Sequence, residues 1–250
     1  MDLNSTSLIA DYLSERKQRV KLNGLSSTWN TLEKGVPQGS IMGPTLFNLF
    51  TNDIFFDIKD GVLFNYADDN TILVSASDKD TVLDKLQRNA NDVVQWCNNN
   101  QMEANASKFQ VMISNDVDSK VKIGDVEITS EKSVKLLGVH LDNDFSFNEH
   151  IANLSRKATR QLNCLKRVAF ALPTDIKLLL YKSFVLSNFC YCPAVWHHCG
   201  KRNTELLERI QYRALKFVFK DYDAPYQELL SRANLPSLEL GHLQKIAVEV

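Results

Sequence analysis

Val62-Leu63-Phe64-Asn65-Tyr66-Ala67-Asp68-Asp69-Asn70-Thr71-Ile72-Leu73-Val74-Ser75-Ala76 sets two apolar, β-prone runs on either side of Asp68-Asp69-Asn70. Asp and Asn are turn formers, so the stretch reads as a β-hairpin with two adjacent carboxylates at its tip. Two unit charges about 5 Å apart repel by roughly 3 kcal/mol at an effective dielectric near 20. Water screens that cost on an exposed turn; between apolar walls a divalent cation is the natural compensation. A bare Asp-Asp pair is more often a solvated turn, so its surroundings must choose.

Just upstream lies Gly35-Val36-Pro37-Gln38-Gly39-Ser40-Ile41-Met42-Gly43-Pro44, with three of the nine glycines of the chain. Pro37 and Pro44 fix φ, and the glycines permit close backbone approach. Ser40 is placed to cap a helix running to about Ile54, with Leu46, Phe47, Leu49, Phe50 and Ile54 on its buried side. A Gly-rich turn entering an apolar helix, just before an Asp-Asp hairpin, suits a surface on which a nucleotide or base pair lies. Further upstream, Leu8, Ile9, Tyr12 and Leu13 step as the end of a helix over 7–14. A hairpin then turns at Asn23-Gly24, with Arg16, Lys17, Arg19 and Lys21 on its first strand and Trp29 and Leu32 on its second. Those charges suit a phosphate backbone or an exposed charged ribbon.

Downstream, Ser77-Asp78-Lys79-Asp80 has the form of a capping box with Ser77 as the cap. Leu83, Leu86, Ala90, Val93 and Cys97 space a helix to about Asn98. Strands are expected at 108–113, at 120–123 and 126–129 around Gly124-Asp125, and at 134–141, where Gly138 marks a bulge or a close approach. From Phe147 the period changes: Phe147, Ile151, Leu154, Ala158, Leu162 and Leu165 step by three or four. Further helices are expected from Pro173-Thr174 through Val185, over 204–219, over 226–233, and at the end of the chain. The fold class is therefore α+β, with residues 1–144 mixed and 145–250 helical, dividing near 142–147.

The 44% hydrophobic and 24% charged residues are ordinary globular values. Five cysteines in no even framework argue against a disulfide scaffold and for a reducing compartment. The first ten residues lack the basic and apolar regions of a secretory signal, and no apolar run approaches a membrane span. The expected setting is intracellular, cytoplasm or nucleus. Cys190, Cys192, His197, His198 and Cys199 have the donor types of a zinc site, but their spacing matches no common finger. The bulky residues among them point instead to a buried helix end. The net charge of -1 conceals an asymmetry: residues 151–220 hold 13 Lys/Arg against 3 Asp/Glu. Arg156, Lys157, Arg160, Lys166 and Arg167 crowd three helical turns, which suits a nucleic-acid partner.

The order Gly-Val-Pro-Gln-Gly-Ser, Tyr66-Ala67-Asp68-Asp69, Lys108, Leu136-Leu137-Gly138 resembles reverse transcriptases of non-LTR (LINE-type, jockey-like) retrotransposons, over nearly the whole chain. The resemblance implies a partial palm over 1–144, an antiparallel sheet with helices, and a thumb-like helical segment over 145–250. It implies RNA-templated DNA synthesis with magnesium, an RNA template, a DNA primer and deoxynucleoside triphosphates. Asp68 and Asp69 would be the catalytic and metal-binding carboxylates. Pro37, Gln38, Gly39, Tyr66 and Ala67 would line the template and nucleotide site. Lys108 would lie near the triphosphate, and Leu136, Leu137 and Gly138 would form the primer grip. The basic residues from Arg156 to Arg167 would contact nucleic acid.

One departure stands out. The family places a further metal-binding Asp on a strand well upstream of the Gly-Val-Pro-Gln-Gly turn, and only Asp2 and Asp11 precede the basic hairpin here. Neither lies in a β-run. The expectation is a fragment lacking that strand, motif A, and the fingers region, and inactive alone. The alternative from another class is a non-catalytic nucleic-acid-binding remnant or a relic. Without the missing strand, the Asp68 hairpin should show an unpaired edge and an uncovered apolar face.

Overall fold

A computed structural model describes residues 2–249. The chain divides into two compact units. One takes the residues up to Ala106 together with Lys122–Val126; the other takes Ser107–Val121 and everything from Glu127 onward.

The first unit opens with α1 (Leu3–Leu13), capped by Asp2, whose carboxylate accepts the Ser5 N–H at 2.7 Å. Four two-residue strands follow: β1 (Lys17–Gln18), β2 (Lys21–Leu22), β3 (Leu25–Ser26) and β4 (Asn30–Thr31). β2 pairs with β3 across Asn23-Gly24, and β1 pairs with β4. Positive φ at both Asn23 (48°) and Gly24 (83°) gives the turn whose twist matches a two-stranded ribbon. α2 (Gly43–Thr51) and the short α3 (Ile54–Asp57) replace the single helix expected to Ile54. Ile54 is buried as expected, but Leu49 and Phe50 are largely exposed.

β5 (Val62–Tyr66) and β6 (Asp69–Leu73) form the Asp-Asp hairpin. Tyr66 pairs with Asp69, so the turn is Ala67-Asp68, and Asp69 and Asn70 lie on the second strand. The cross-strand bond from Asn65 Nδ2 to Asn70 Oδ1, 2.8 Å, is made in this register, and a slip would lose it. α4 (Lys79–Asn99) follows, capped by Asp78 rather than Ser77: Asp78 accepts the Thr81 N–H at 2.8 Å. Its Ala90, Val93, Trp96 and Cys97 are buried, and the Trp96 indole N–H donates to Asp53 at 2.9 Å. The hairpin approaches α4 closely. A Cβ on Gly61 would stand 2.9 Å from Ile72 and 3.1 Å from Asn89 of α4.

The second unit is built on helices. Residues 108–113 form no strand; Ile113 makes a single bridge to Asp116. The segment is held by Val111 O, which accepts the Glu131 N–H, and by Ser130 Oγ, which accepts the Ile113 N–H. β7 (Lys120–Ile123) and β8 (Val126–Thr129) pair around Gly124-Asp125, the Lys122–Val126 end of this ribbon being counted with the first unit. The strand expected at 134–141 is a hairpin: β9 (Ser133–Leu136) and β10 (Val139–Asp142) turn at Leu137-Gly138. Among the described residues the strands make five separate two-stranded ribbons rather than one sheet.

α5 (Asn148–Val168) starts where Asp142 accepts the N–H groups of Phe147 (2.7 Å) and Asn148 (3.0 Å) and the Ser146 hydroxyl (2.8 Å). α6 (Thr174–Leu180) runs on into a π-type turn, Tyr181–Val185, and a tight last stretch, Leu186–Cys190. α7 (Pro193–Trp196), α8 (Lys201–Phe219), α9 (Tyr226–Ala233) and α10 (Leu238–Glu249) complete the unit. Ile151, Leu154, Ala158, Leu162 and Leu165 of α5 meet Leu207, Ile210, Ala214, Leu215 and Val218 of α8 in its core. A buried leucine there is worth about 1.5–3 kcal/mol, so this core carries the α+β fold expected from the sequence.

Candidate functional site

In the first unit the Gly-rich turn is set by its own hydrogen bonds. Ser40 Oγ donates to the Pro37 carbonyl at 2.8 Å and accepts the Gly43 N–H at 3.0 Å, which ties the turn to the first residue of α2; the N-cap position is Met42 rather than the expected Ser40. A Cβ on Gly43 would stand 2.9 Å from that hydroxyl. Gly35 (φ 76°) and Gly39 (φ 77°) take the left-handed region that glycine occupies without strain. Gln38 and Gly39 are exposed, while Pro37 is half-buried. Arg16 fixes the start of the turn: its guanidinium donates to Leu13 O at the end of α1 (2.9 Å) and to Gly35 O (2.6 Å). Of the four basic residues on the ribbon, Arg16 is thus a brace, and Lys17, Arg19 and Lys21 face solvent. Arg19 stacks over Trp29, 4.6 Å from the ring centre.

Asp68 and Asp69 are exposed at the β5–β6 turn, beside Ala67, which holds φ 54°. A left-handed alanine costs about 1 kcal/mol or more, and such strain collects at functional turns. Tyr66 shares one face with Val62, Phe64 and Leu73, all more than half exposed, and β5 and β6 pair only with each other among the described residues. The unpaired edge and open apolar face expected of this hairpin are both present. Carboxylate oxygens are the donors magnesium prefers. Yet no group of three His, Cys, Asp or Glu residues converges anywhere among the described residues. Asp2 caps α1 and Asp11 lies within it, so neither stands in for a further ligand.

At 190–199 no three of Cys190, Cys192, His197, His198 and Cys199 converge. Cys190 and Cys192 are exposed and Cys199 is buried, and the segment is a reversal into α7. Trp196, only 1% exposed, fills its centre between His150 (5.6 Å) and His242 (4.8 Å). In the second unit Lys108 is exposed at the end of a single helical turn, Ala106–Lys108. Leu136 ends β9, and Leu137-Gly138 is the β9–β10 turn.

The basic residues of α5 are well placed for a phosphate backbone. Arg156, Arg160 and Arg167 fall within an arc of roughly 40° along about 17 Å of helix, with Lys157 beside them, all exposed. Lys166 is half-buried, and desolvation, with Arg213 second, lowers its pKa. α8 adds a stripe that was not singled out from the sequence: Arg202, Arg209 and Arg213, spaced by seven and four and all exposed. Asn203 donates to Asn148 at 2.8 Å near the start of both helices, and Lys166 feels Arg213 further along, so α5 and α8 run side by side in one direction. A groove of about 430 Å³ opens between them, lined by Asn148, Arg202, Asn203, Leu206 and Arg209.

Residues 1–141 match the sequence model of the reverse transcriptase (RNA-dependent DNA polymerase) family. The chain belongs to that family. Among its relatives is the probable RNA-directed DNA polymerase from transposon BS of Drosophila melanogaster, 25% identical over 88% of this chain and 26% of the relative. Another is the RNA-directed DNA polymerase from mobile element jockey of the same fly, 27% identical over 84% of this chain and 24% of the relative. The Pol polyprotein of the type-1 retrotransposable element R1 of Bradysia coprophila is 24% identical over 65% of this chain and 17% of the relative. The chain thus spans about a quarter of the length of the first two. No solved structure matches it. The retrotransposon resemblance seen in its motifs is borne out by these relatives. No helix among the described residues is long and apolar enough to cross a membrane.

Proposed function

We propose that these 250 residues form the part of an RNA-directed DNA polymerase that faces nucleotide and primer. Residues 1–144 act as palm and 145–250 as a thumb-like segment. The observation that carries this reading is the Ala67-Asp68 turn, which exposes two carboxylates at one end of a short ribbon. The exposed Gln38-Gly39 belongs to the same unit. In this reading Asp68 and Asp69 are part of a magnesium site, and Gln38, Gly39 and Tyr66 line the place of template and incoming nucleotide. Lys108 serves the triphosphate, Leu136–Gly138 the primer end, and α5 and α8 the backbone of an RNA–DNA hybrid. When bound, magnesium would neutralise charge on the transferring phosphoryl group. Holding two ions needs carboxylates converging from more than one strand, and Asp68 and Asp69 are sequence neighbours at one turn.

The expected outcome is therefore that this chain by itself does not extend a primer. The assay is primer extension on an RNA template with magnesium or manganese. It compares the 250-residue chain with a longer one that adds a carboxylate-bearing strand upstream, each with and without Asp68→Ala. Extension by the longer chain alone, abolished by Asp68→Ala, supports the reading. Extension by the 250-residue chain that Asp68→Ala removes would overturn its incomplete-site part. Extension by the longer chain that survives Asp68→Ala would overturn the assignment of Asp68.

A further inference from the structure

We infer that Tyr191 is a positioning residue for the Leu137-Gly138 turn; the functional part of this inference rests on the reading of that turn as the primer grip. Leu137 (φ 45°) and Gly138 (φ 91°) are both left-handed, the geometry that closes a twisted ribbon with two residues. Glycine adopts it freely and leucine does not: a Cβ-bearing residue there is strained. Strain of this kind persists only where the surroundings enforce it.

The enforcement comes from 54 residues away. The Tyr191 hydroxyl donates to the Leu137 carbonyl at 2.7 Å. The tyrosine ring lies against the other half of the turn, at ordinary contact distance (3.5 Å) from where a Cβ on Gly138 would stand. Tyr191 is itself anchored. Its carbonyl accepts the indole N–H of the buried Trp196 at 2.9 Å, and Cys192 (φ 46°) with Pro193 reverses the chain immediately after it. The turn is thereby tied through one side chain to the ring stack in the core. This gives the Cys190-Tyr191-Cys192 segment a role that its cysteines do not supply.

Exposure separates a positioning role from a merely stabilising one. Leu137 is 43% exposed and Tyr191 52% exposed, so the bond between them adds little to global stability. What it fixes is the attitude of an exposed apolar tip. A tip held in one conformation before binding loses no freedom when a ligand docks, and displacement of a docked end by an ångström is costly in such a site.

The test uses the full 250-residue chain with Tyr191→Phe, which removes only the hydroxyl. Three quantities are measured: amide exchange at Val139, the thermal midpoint, and the fluorescence of 2-aminopurine in an RNA–DNA hybrid. The probe is placed either at the primer 3′ end or in the duplex interior. The inference expects Val139 exchange to rise about threefold to fivefold, the worth of one neutral hydrogen bond. It expects a nearly unchanged midpoint, a diminished signal from the 3′-terminal probe and an unchanged signal from the interior probe. Unchanged exchange overturns it, as does faster exchange with the terminal signal at the parent level, which is the result a purely structural bond would give. A parent chain that reads both probe positions alike overturns the primer-grip reading itself, and the functional part of this inference with it, whatever the exchange rates.

Discussion

Neutralising the basic stripes should change the salt dependence of nucleic-acid binding by an amount the structure sets in advance. Each phosphate contact contributes roughly -0.7 to -0.9 to the slope of log affinity against log salt. α5 offers four exposed cations, Arg156, Lys157, Arg160 and Arg167, and α8 offers Arg202, Arg209 and Arg213. Lys166, half-buried beside Arg213, is discounted. If all seven engage a hybrid, the slope is about -5 to -6, and affinity falls about a thousandfold between 50 and 200 mM salt. Changing Arg156, Lys157, Arg160, Lys166 and Arg167 to Gln should flatten the slope by about 3 and leave a fall of roughly twentyfold to fortyfold. Changing the three α8 arginines to Gln should flatten it by about 2 to 3. Fluorescence anisotropy of a labelled RNA–DNA hybrid across a salt series measures both. An α5 variant with the parent slope would refute the assignment of residues 151–220 as the main nucleic-acid surface. A parent slope in the α8 variant would remove α8 from it.

Two further outcomes concern the second unit. Burial alone would raise the Asp142 carboxyl, but hydrogen bonds from Ser146, Phe147 and Asn148 outweigh it and hold its pKa below the ordinary 3.8. Its stabilisation is therefore present above that value and is lost as pH falls through the lower folded value. Asp142→Ala should cost about 3 kcal/mol, and Asp142→Asn about half that, because one acceptor oxygen survives; urea titrations reporting equal costs would contradict the cap. Desolvation by burial pushes the pKa of His150 and His242 below 6.5, and outweighs the opposing pull of Asp142 on His150 and of the Phe189 carbonyl on His242. Folding excludes their protons, so stability is full above the ordinary value and falls as pH drops below it. The urea midpoint should decline between pH 7 and 5.5, and a His150→Asn, His242→Gln pair should flatten that decline. A midpoint independent of pH over this range would contradict the prediction.

The sequence carried some of this architecture and concealed the rest for identifiable reasons. α4, α5 and α8 were legible because their apolar residues repeat at helical spacing over 19 to 21 residues, long enough to outvote local exceptions. The β5–β6 hairpin was legible, but its turn was misplaced by one residue. Asp69-Asn70 are turn formers by composition, whereas the register is decided by Tyr66 opposite Asp69 and by the Asn65–Asn70 bond, which composition does not display. The β9–β10 turn hid for the opposite reason: Leu137 is a poor turn residue, and what holds it there is Tyr191, far along the chain. Phe109, Val111 and Ile113 alternate like a strand, but a side-chain hydroxyl and one backbone bond supply their partners, so no ladder forms. The α8 arginine stripe needed only the seven-and-four spacing already in the sequence. Arg16 reads as one of four surface cations, and only its bonds to the carbonyls of Leu13, Lys34 and Gly35 show it to be a brace.

Every residue from Lys17 to Thr31 is exposed, so the β1–β4 ribbon contributes no side chain to a core. Away from its tip it is held by the pairing of β1 with β4, by the bonds between Val20 and Ser27, and by the stacking of Arg19 over Trp29. A segment organised in this way tolerates lengthening, because adding residues at its tip displaces nothing packed. A dye or an epitope inserted between Asn23 and Gly24 would leave Arg16 and the Gly35 turn where they are. The protein thus has an attachment point in the same unit as its Gly-rich turn, from which the approach of a labelled template could be followed by energy transfer.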